Sequence, residues 1–174
     1  ICLVASKFIG GVRFWKNENS IVLGLSEKIK DCVNEEILRN FKKNFPEISN
    51  GKSQLLDSFS VARRASGGGT VFHDLQSNLN YSIFISLEKK PDLYPVKHSY
   101  EKILTLVSMS LKKQNIETYM EGKSDLVVLS DGTKKKISGN AQFRKKDCLV
   151  HHGTILLDKE IIDKIRTVLP HPKE

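Results

Sequence analysis

Residues 63–74 read RRASGGGTVFHD, and three consecutive glycines between two arginines and a His-Asp pair need a chemical reason. Glycine loses more backbone freedom on folding than any other residue, so a run of them is costly scaffold. What the run offers is access. Without side chains, backbone N–H groups can close on an anion, as they do in phosphate-cradling loops. Arg63 and Arg64 stand beside it, and a guanidinium suits bidentate contact with phosphate or carboxylate. The spacing is not a Walker A loop, because no Gly-Lys-Ser/Thr follows. It is not a dinucleotide fingerprint either, because the G-x-G-x-x-G spacing is missing. A flexible glycine turn is the plain alternative.

Two further stretches could carry chemistry. In KKKISGNAQFRKK, residues 134–146, Lys136 sits two residues before a Ser-Gly-Asn segment that reads as a turn. A lysine held beside a nucleotide can stabilise charge developing on an acyl-phosphate or phosphoryl group. A basic hairpin edge that blunts strand aggregation would look the same. In CLVHHGT, residues 148–154, His151 and His152 fall on opposite faces of a strand, so at most one faces any given site. Cys148 and His151 have a metal-like spacing but no second Cys/His pair, which favours a satisfied structural histidine over a zinc ligand. Cys148 could act as a nucleophile with His152 as its base, although a buried, inert thiol is the commoner case.

These stretches need elements to hold them. VRFWKNENSIVLGL predicts two short strands about a polar turn at Asn17–Ser20. Residues 31–45 place Val33, Ile37, Leu38 and Phe41 at helical spacing, with Pro46 beyond. Residues 51–58 read as an exposed loop, and FSVAR, 59–63, as a strand leading into the glycines. LNYSIFISL is strand-like, and residues 99–115 form the clearest helix, with Ile103, Leu104, Val107 and Leu111 on one face. Residues 124–143 predict a hairpin turning at Asp131-Gly132. CLVHHGTILL reads as another strand, and Asp158 as the N-cap of a final short helix. The pattern predicts one α+β domain over residues 1–174, with a mixed, largely antiparallel central sheet flanked by helices.

Composition bounds the function classes. A 174-residue chain buries enough surface for a core without staples. Three scattered cysteines suggest no disulfide framework and favour a reducing compartment, hence a cytoplasmic protein. No apolar run is long enough to span a bilayer. The net charge of +8 fits an acidic protein partner, an anionic small molecule or nucleic acid, or simply a solvated surface. The lysine-rich segments carry little aromatic content, with only Phe143 near them, which argues against a nucleic-acid module.

Taken in order, FWKNENSIVLGL, DCVNEE, ARRASGGGTVFHDLQSNLN, GKSDLVV, KKISGNAQFRKK and HHGTILLD resemble the lipoate–protein ligase family, whose catalytic fold is similar to that of biotin ligases. The likeness covers most of residues 12–158. It implies a two-step reaction: ATP activates lipoate to lipoyl-AMP with release of pyrophosphate, and the lipoyl group then passes to a specific lysine of an acceptor domain. Holding a triphosphate beside a carboxylate means overcoming like-charge repulsion with fixed donors and cations, helped by Mg2+.

The resemblance also implies roles. Arg64 would contact nucleotide phosphate. Gly69, Thr70, Val71 and Phe72 would line the adenylate pocket through their backbone. Lys136 would bridge the lipoate carboxylate and the α-phosphate, and Asp125 would sit near the phosphate or the magnesium ion. Asn140 and Ala141 would lie beside the acyl chain, and Trp15, Gly68, His73 and His152 would wall the lipoate tunnel. Acceptors would be lipoyl domains of 2-oxo acid dehydrogenase acyltransferase subunits and the glycine cleavage H protein, with no nucleic acid or membrane partner.

Related transferases move octanoyl or lipoyl groups through a cysteine acyl-enzyme, without adenylation. Neither NIETYMEGKSDLVV nor the stretch after HHGT holds that cysteine, which favours the ligase. A non-catalytic lipoate-binding relative is the other alternative. The family's early segment of NLAVEE type, its adenylate loop and its C-terminal accessory domain have no counterpart here, so the expectation is a fragment or ordered portion, completed by an accessory domain or subunit.

Overall fold

A computed structural model describes residues 9–44, 54–56 and 59–170. They divide into two compact units, one of residues 9–15 and 79–155, the other of 16–44, 54–56, 59–78 and 156–170. In chain order the elements are β1 (Gly10–Trp15), β2 (Ser20–Leu23), α1 (Ile29–Cys32), α2 (Glu35–Asn44), β3 (Gln54–Leu56), β4 (Phe59–Arg63), β5 (Val71–His73) and β6 (Asn78–Ser86). A 3-10 turn (Pro91–Leu93), α3 (Val96–Lys112), β7 (Tyr119–Glu121), β8 (Asp125–Ser130), β9 (Thr133–Lys145), β10 (Cys148–Leu156) and α4 (Ile161–Val168) follow.

The first unit is built on a six-stranded sheet in the order β1-β6-β10-β9-β8-β7, in which β1 runs antiparallel to β6, and β9 antiparallel to both β8 and β10. The β8–β9 hairpin turns at Asp131 and Gly132, both at positive φ, as the sequence predicts. On one sheet face Leu87, Leu93, Ile103 and Leu149 close a core, with Ile83, Ile85 and Val107 packed against it. Cys148 and Val150 pack with Phe84 and Phe143 in another cluster.

The second unit holds a four-stranded mixed sheet, β3-β4-β2-β5, with β2 parallel to β4 and antiparallel to β5. Ile21, Leu23, Val61 and Phe72 from its strands meet Val33, Leu38, Ile161 and Val168. Asn34 fastens this core, since its N–H donates to Val168 O at 3.0 Å and its amide to Thr167 O. Asp74 is a second fastener. Its carboxylate accepts from the N–H groups of Gln76 and Ser77 and pairs with Lys164 at 2.6 Å. Burial alone would raise the Asp74 pKa, but these hydrogen bonds outweigh it and hold the group at about 2.

The α+β class is as the sequence predicts, and several details differ. β1 and β2 do not pair as a hairpin; they join different sheets. The helix expected over 31–45 breaks at Val33, which is extended at φ −131 and ψ 140, so that its side chain enters the core between α1 and α2. Phe41 has no described side chain. The loop expected over 51–58 carries strand β3 in its middle, and the rest lies outside the described residues. The N-cap of α4 is Glu160, with no side-chain cap bond, rather than Asp158, whose carboxylate accepts from the Glu160 N–H at 3.0 Å in the turn before the helix. The Ser-Gly-Asn segment 138–140 is the interior of β9 rather than a turn.

Candidate functional site

In the second unit the glycine run links β4 to β5. Its shape comes from the arginines that precede it. Arg64 folds back over the loop: its Nε donates to Ser66 Oγ at 3.1 Å, Nη1 to Val22 O at 3.1 Å, and Nη2 to Gly67 O at 3.0 Å and Gly69 O at 2.7 Å. Arg63 does the same for the preceding loop, with Nη1 reaching the carbonyls of Gly24 at 2.8 Å and Leu25 at 3.2 Å. The two loops are zipped by Leu25 N–H to Ser66 O at 2.9 Å. A Cβ on Gly24 would lie 1.8 Å from Gly68 O, so one close visitor to the glycine run is this chain's own backbone. Gly68 has φ +91, whereas Gly67 and Gly69 face open space.

Around that loop, Glu27 accepts from the Cys32 thiol at 2.7 Å and the Thr70 hydroxyl at 3.3 Å. The Cys32 bond, then the Thr70 bonds and the Arg64 charge, hold the Glu27 carboxyl below its usual range despite some burial. Burial, reinforced by Glu27, pushes the Cys32 thiol up. Val71 is exposed, while Phe72 is buried edge-on to Phe59 with ring centres 5.6 Å apart. Contact of Phe72 with a ligand would therefore be through its backbone. His73 is buried, its Nδ1 2.9 Å from the Asn17 amide nitrogen.

In the first unit Lys136 is turned by a fault in the ladder. Ser138 pairs with Leu126 and Lys136 with Val127, so Ile137 is the extra residue of a bulge. The bulge shifts the alternation by one and places Lys136 over Gly139: a Cβ there would be 3.3 Å from Lys136 Cε and 3.4 Å from Nζ. The ammonium pairs with Asp125 Oδ2 at 2.6 Å. Its neighbours point elsewhere, Lys134 to Glu121 at 2.7 Å and Lys135 to Asp131 at 3.5 Å. Along the same face by alternation, Ala141 is the register partner of His152, and Gly139 of Thr154. Trp15 ends β1 with the Arg13 guanidinium 4.9 Å from its ring centre.

Asn140 falls on the other face, with its side chain engaged in a polar cluster beneath α3. Tyr81 donates to its Oδ1, and its Nδ2 donates to Ser124 O at 2.8 Å. His151, wholly buried, joins the same cluster, with Nε2 3.2 Å from Asn140 Oδ1 and Nδ1 3.2 Å from the Gln142 amide nitrogen. Burial, aided by the neighbouring His152, lowers its pKa to about 3. A free histidine titrates near ~6.5, so an unfolded chain takes up a proton over that window while the folded one does not. The resulting stability is complete above about pH 6.5 and is lost as pH falls toward about 3. Unfolding in denaturant is expected to cost about 2 kcal/mol less at roughly pH 5 than at roughly pH 7. The difference should shrink in His151→Gln, which has nothing to titrate there. An unchanged difference would exclude His151 as its source.

The structure thus brings together Arg64, Gly68, Gly69 and Thr70 in one unit, and Asp125 with Lys136, and Ala141 with His152, in the other. Sequence reasoning passed over Glu27, Tyr81 and Gln142. For Tyr81 the available signal was a hydroxyl-bearing aromatic in the strongly strand-like run of β6; Gln142, in a strand with a polar face, and Glu27 gave none. Among the described residues no three His, Cys, Asp or Glu side chains gather into a metal site, and no helix is long and apolar enough to cross a membrane.

A family model for the lipoyl protein ligase A/B catalytic domain matches residues 10–174. The lipoate-protein ligase LplJ of Bacillus subtilis (strain 168) is 34% identical over 148 residues, covering 85% of this chain and 37% of the relative. The chain therefore spans little more than a third of that protein. Among solved structures, P. falciparum LipL1 in complex with lipoate superposes with a TM-score of 0.66 at 29% identity, covering 95% of this chain and 40% of that one. A bipartite lipoate protein ligase from Thermoplasma acidophilum, studied with its E2 lipoyl domain, gives 0.71 at 20% identity over 98% of this chain and 59% of that one, a likeness of fold.

Proposed function

The chain belongs to the lipoyl protein ligase A/B catalytic-domain family, and from that premise we propose that it carries the catalytic part of an ATP-dependent lipoate–protein ligase. A carboxylate does not form an amide with lysine unaided, because hydroxide is a poor leaving group. Attack of the lipoate carboxylate on the α-phosphate of ATP makes lipoyl-AMP and expels pyrophosphate. The acceptor lysine amine then attacks the acyl carbon, an amide bond forms, and AMP leaves with the electron pair of the broken C–O bond.

The observation that carries this reading is Lys136, set by a bulge over a glycine and paired with Asp125. Nothing in hairpin stability requires that placement. An ammonium there can exchange Asp125 for the anionic oxygens of carboxylate and phosphate, and neutralise the charge that makes them repel. In the second unit the N–H groups of Gly69, Thr70, Val71 and Phe72 take the nucleotide, with Arg64 holding the loop in shape and at its phosphate. Gly68 and His73 in the second unit, and Trp15, Ala141 and His152 in the first, contribute to lipoate binding, with Asn140 lending only its backbone because its side chain is engaged on the other face of β9. Asp125 is the carboxylate that would hold Mg2+, and the ion would supply charge neutralisation on the phosphates. Lipoyl domains of 2-oxo acid dehydrogenase complexes and the glycine cleavage H protein are the acceptors, and the cytoplasm is the setting.

The rival transferase chemistry needs a thiolate. Of the two described cysteines, Cys148 is buried among Val150, Phe84 and Phe143, and burial, then the Glu27 carboxylate, raises the Cys32 pKa. Neither suits a nucleophile. Incubating the full chain with ATP, Mg2+ and lipoate is expected to yield lipoyl-AMP and pyrophosphate. Octanoyl transfer from a carrier protein with no adenylate formed would overturn the ligase reading.

A further inference from the structure

Beneath the strand that carries Lys136 lies a chain of hydrogen bonds whose direction is set at both ends. Arg144 can only donate, and its Nη2 meets Gln142 Oε1 at 3.1 Å. Arg144 is itself held by the carbonyls of Tyr94 at 2.5 Å and Leu93 at 3.1 Å, and by Ser99 Oγ at 2.5 Å. The Gln142 amide nitrogen must then face His151 and donate to Nδ1. A neutral imidazole that accepts at Nδ1 carries its proton on Nε2, which donates to Asn140 Oδ1. Asn140 has its amide nitrogen left for Ser124 O at 2.8 Å and Ser138 Oγ at 3.2 Å. Ser124 O can only accept, so the far end agrees with the near one.

The relay is closely packed on both sides. His151 is enclosed by Tyr81, stacked at 6.2 Å, and Tyr100 of α3, edge-on at 5.4 Å. A Cβ on Gly153 would lie 1.9 Å from Asn140 Oδ1 and 2.8 Å from the Tyr81 hydroxyl oxygen. The glycine of HHGT is there to admit that amide and that phenol. The relay ends at Ser124, whose neighbour Asp125 is the register partner of Gly139 and the ion-pair partner of Lys136 on the opposite face.

We propose that His151, oriented by Arg144 through Gln142, is a positioning residue: it locks the Asn140 amide and through it the Ser124–Asp125 segment that sets Lys136. The role in catalysis rests on the ligase reading; the relay itself does not. Nitrogen NMR of His151 in the full chain is expected to show an unprotonated Nδ1 and a protonated Nε2 at about pH 7. A protonated Nδ1 would overturn the relay whatever the activity. Gln142→Glu keeps the shape but cannot donate to Nδ1. It is expected to lower kcat for adenylate formation about 10- to 100-fold, with KM for ATP within about threefold and the unfolding midpoint retained. Unchanged kcat refutes the positioning role. His151→Gln can accept and donate at the same two points and should exceed His151→Leu in kcat at least about tenfold; equal kcat in the two also refutes it. If the wild-type chain transferred octanoyl from a carrier protein and formed no adenylate, the ligase reading would fall and the positioning role with it, while the imidazole spectrum would still report on the relay.

Discussion

Lys136→Ala is expected to reduce adenylate formation by about 10³-fold or more while leaving the fold intact. Both halves of that expectation come from the same geometry. The Lys136–Asp125 pair is 2.6 Å long, but the two side chains are 55% and 30% exposed. An ion pair so wet contributes no more than about 1 kcal/mol, so its loss barely moves the unfolding midpoint. The catalytic cost is different in kind. Removing one fixed donor from a developing anion costs about 10²–10³ in rate, and Lys136 brings a full charge besides. Lys136→Arg should restore little, because the lysine end lies so close over Gly139 that an added Cβ there would meet Cε at 3.3 Å and Nζ at 3.4 Å, and a planar, bulkier fork does not reproduce a point charge at that position. Lys135→Ala, one residue away and paired at the turn with Asp131, is the control that keeps activity. Pyrophosphate release measured on the three variants decides the matter. Retained release in Lys136→Ala would remove Lys136 from the chemistry.

What made Lys136 stand out in the sequence was its place in KKKISGNAQ, and what the sequence could not convey was its direction. A strand alternates, so Lys136 and Ser138 belong on one face, and only the extra residue Ile137 breaks that phase. Bulges leave no period to read. The same limit hid the relay. Asn140, Gln142 and Arg144 alternate with Ala141 and Phe143, which by pattern is a half-solvated strand with a polar outer face. The structure lays α3 across that face and turns the polar residues to one another, with Ser99 buried between Gln142 and Arg144. Strands with strong β-branched and aromatic character, such as β6, were legible because burial and propensity agree. β3 was not, because three residues within polar surroundings carry no signal until β4 lies beside them.

The glycine run was legible as a place of close approach, and Gly24→Ala tests what approaches. The substitution puts a methyl 1.8 Å from Gly68 O and 3.0 Å from Gly68 C, a contact with backbone that no rotamer relieves. Neither loop is at liberty to move. Gly24 O is held by Arg63 at 2.8 Å, the residues flanking Gly68 are held by Arg64 at 3.0 and 2.7 Å, and Leu25 is tied to Ser66. Relief therefore requires breaking several of these bonds together, at about 2–4 kcal/mol, or a fall of roughly 5–15 °C in the unfolding midpoint. Gly68→Ala suffers its φ of +91, a strain of about 1–2 kcal/mol, and brings a Cβ to 3.1 Å from Arg64 Nη2, a side-chain end that can shift by a few tenths of an ångström. Gly67→Ala meets nothing within 4 Å and should be the mildest of the three. If the run were a flexible turn, all three would cost alike and little. The order Gly67, Gly68, Gly24 in rising cost is what a clamped loop demands. A Gly24→Ala chain as stable as the wild type would show that the arginines do not hold the loop in this shape, and the anion-binding role assigned to it would lose its structural basis.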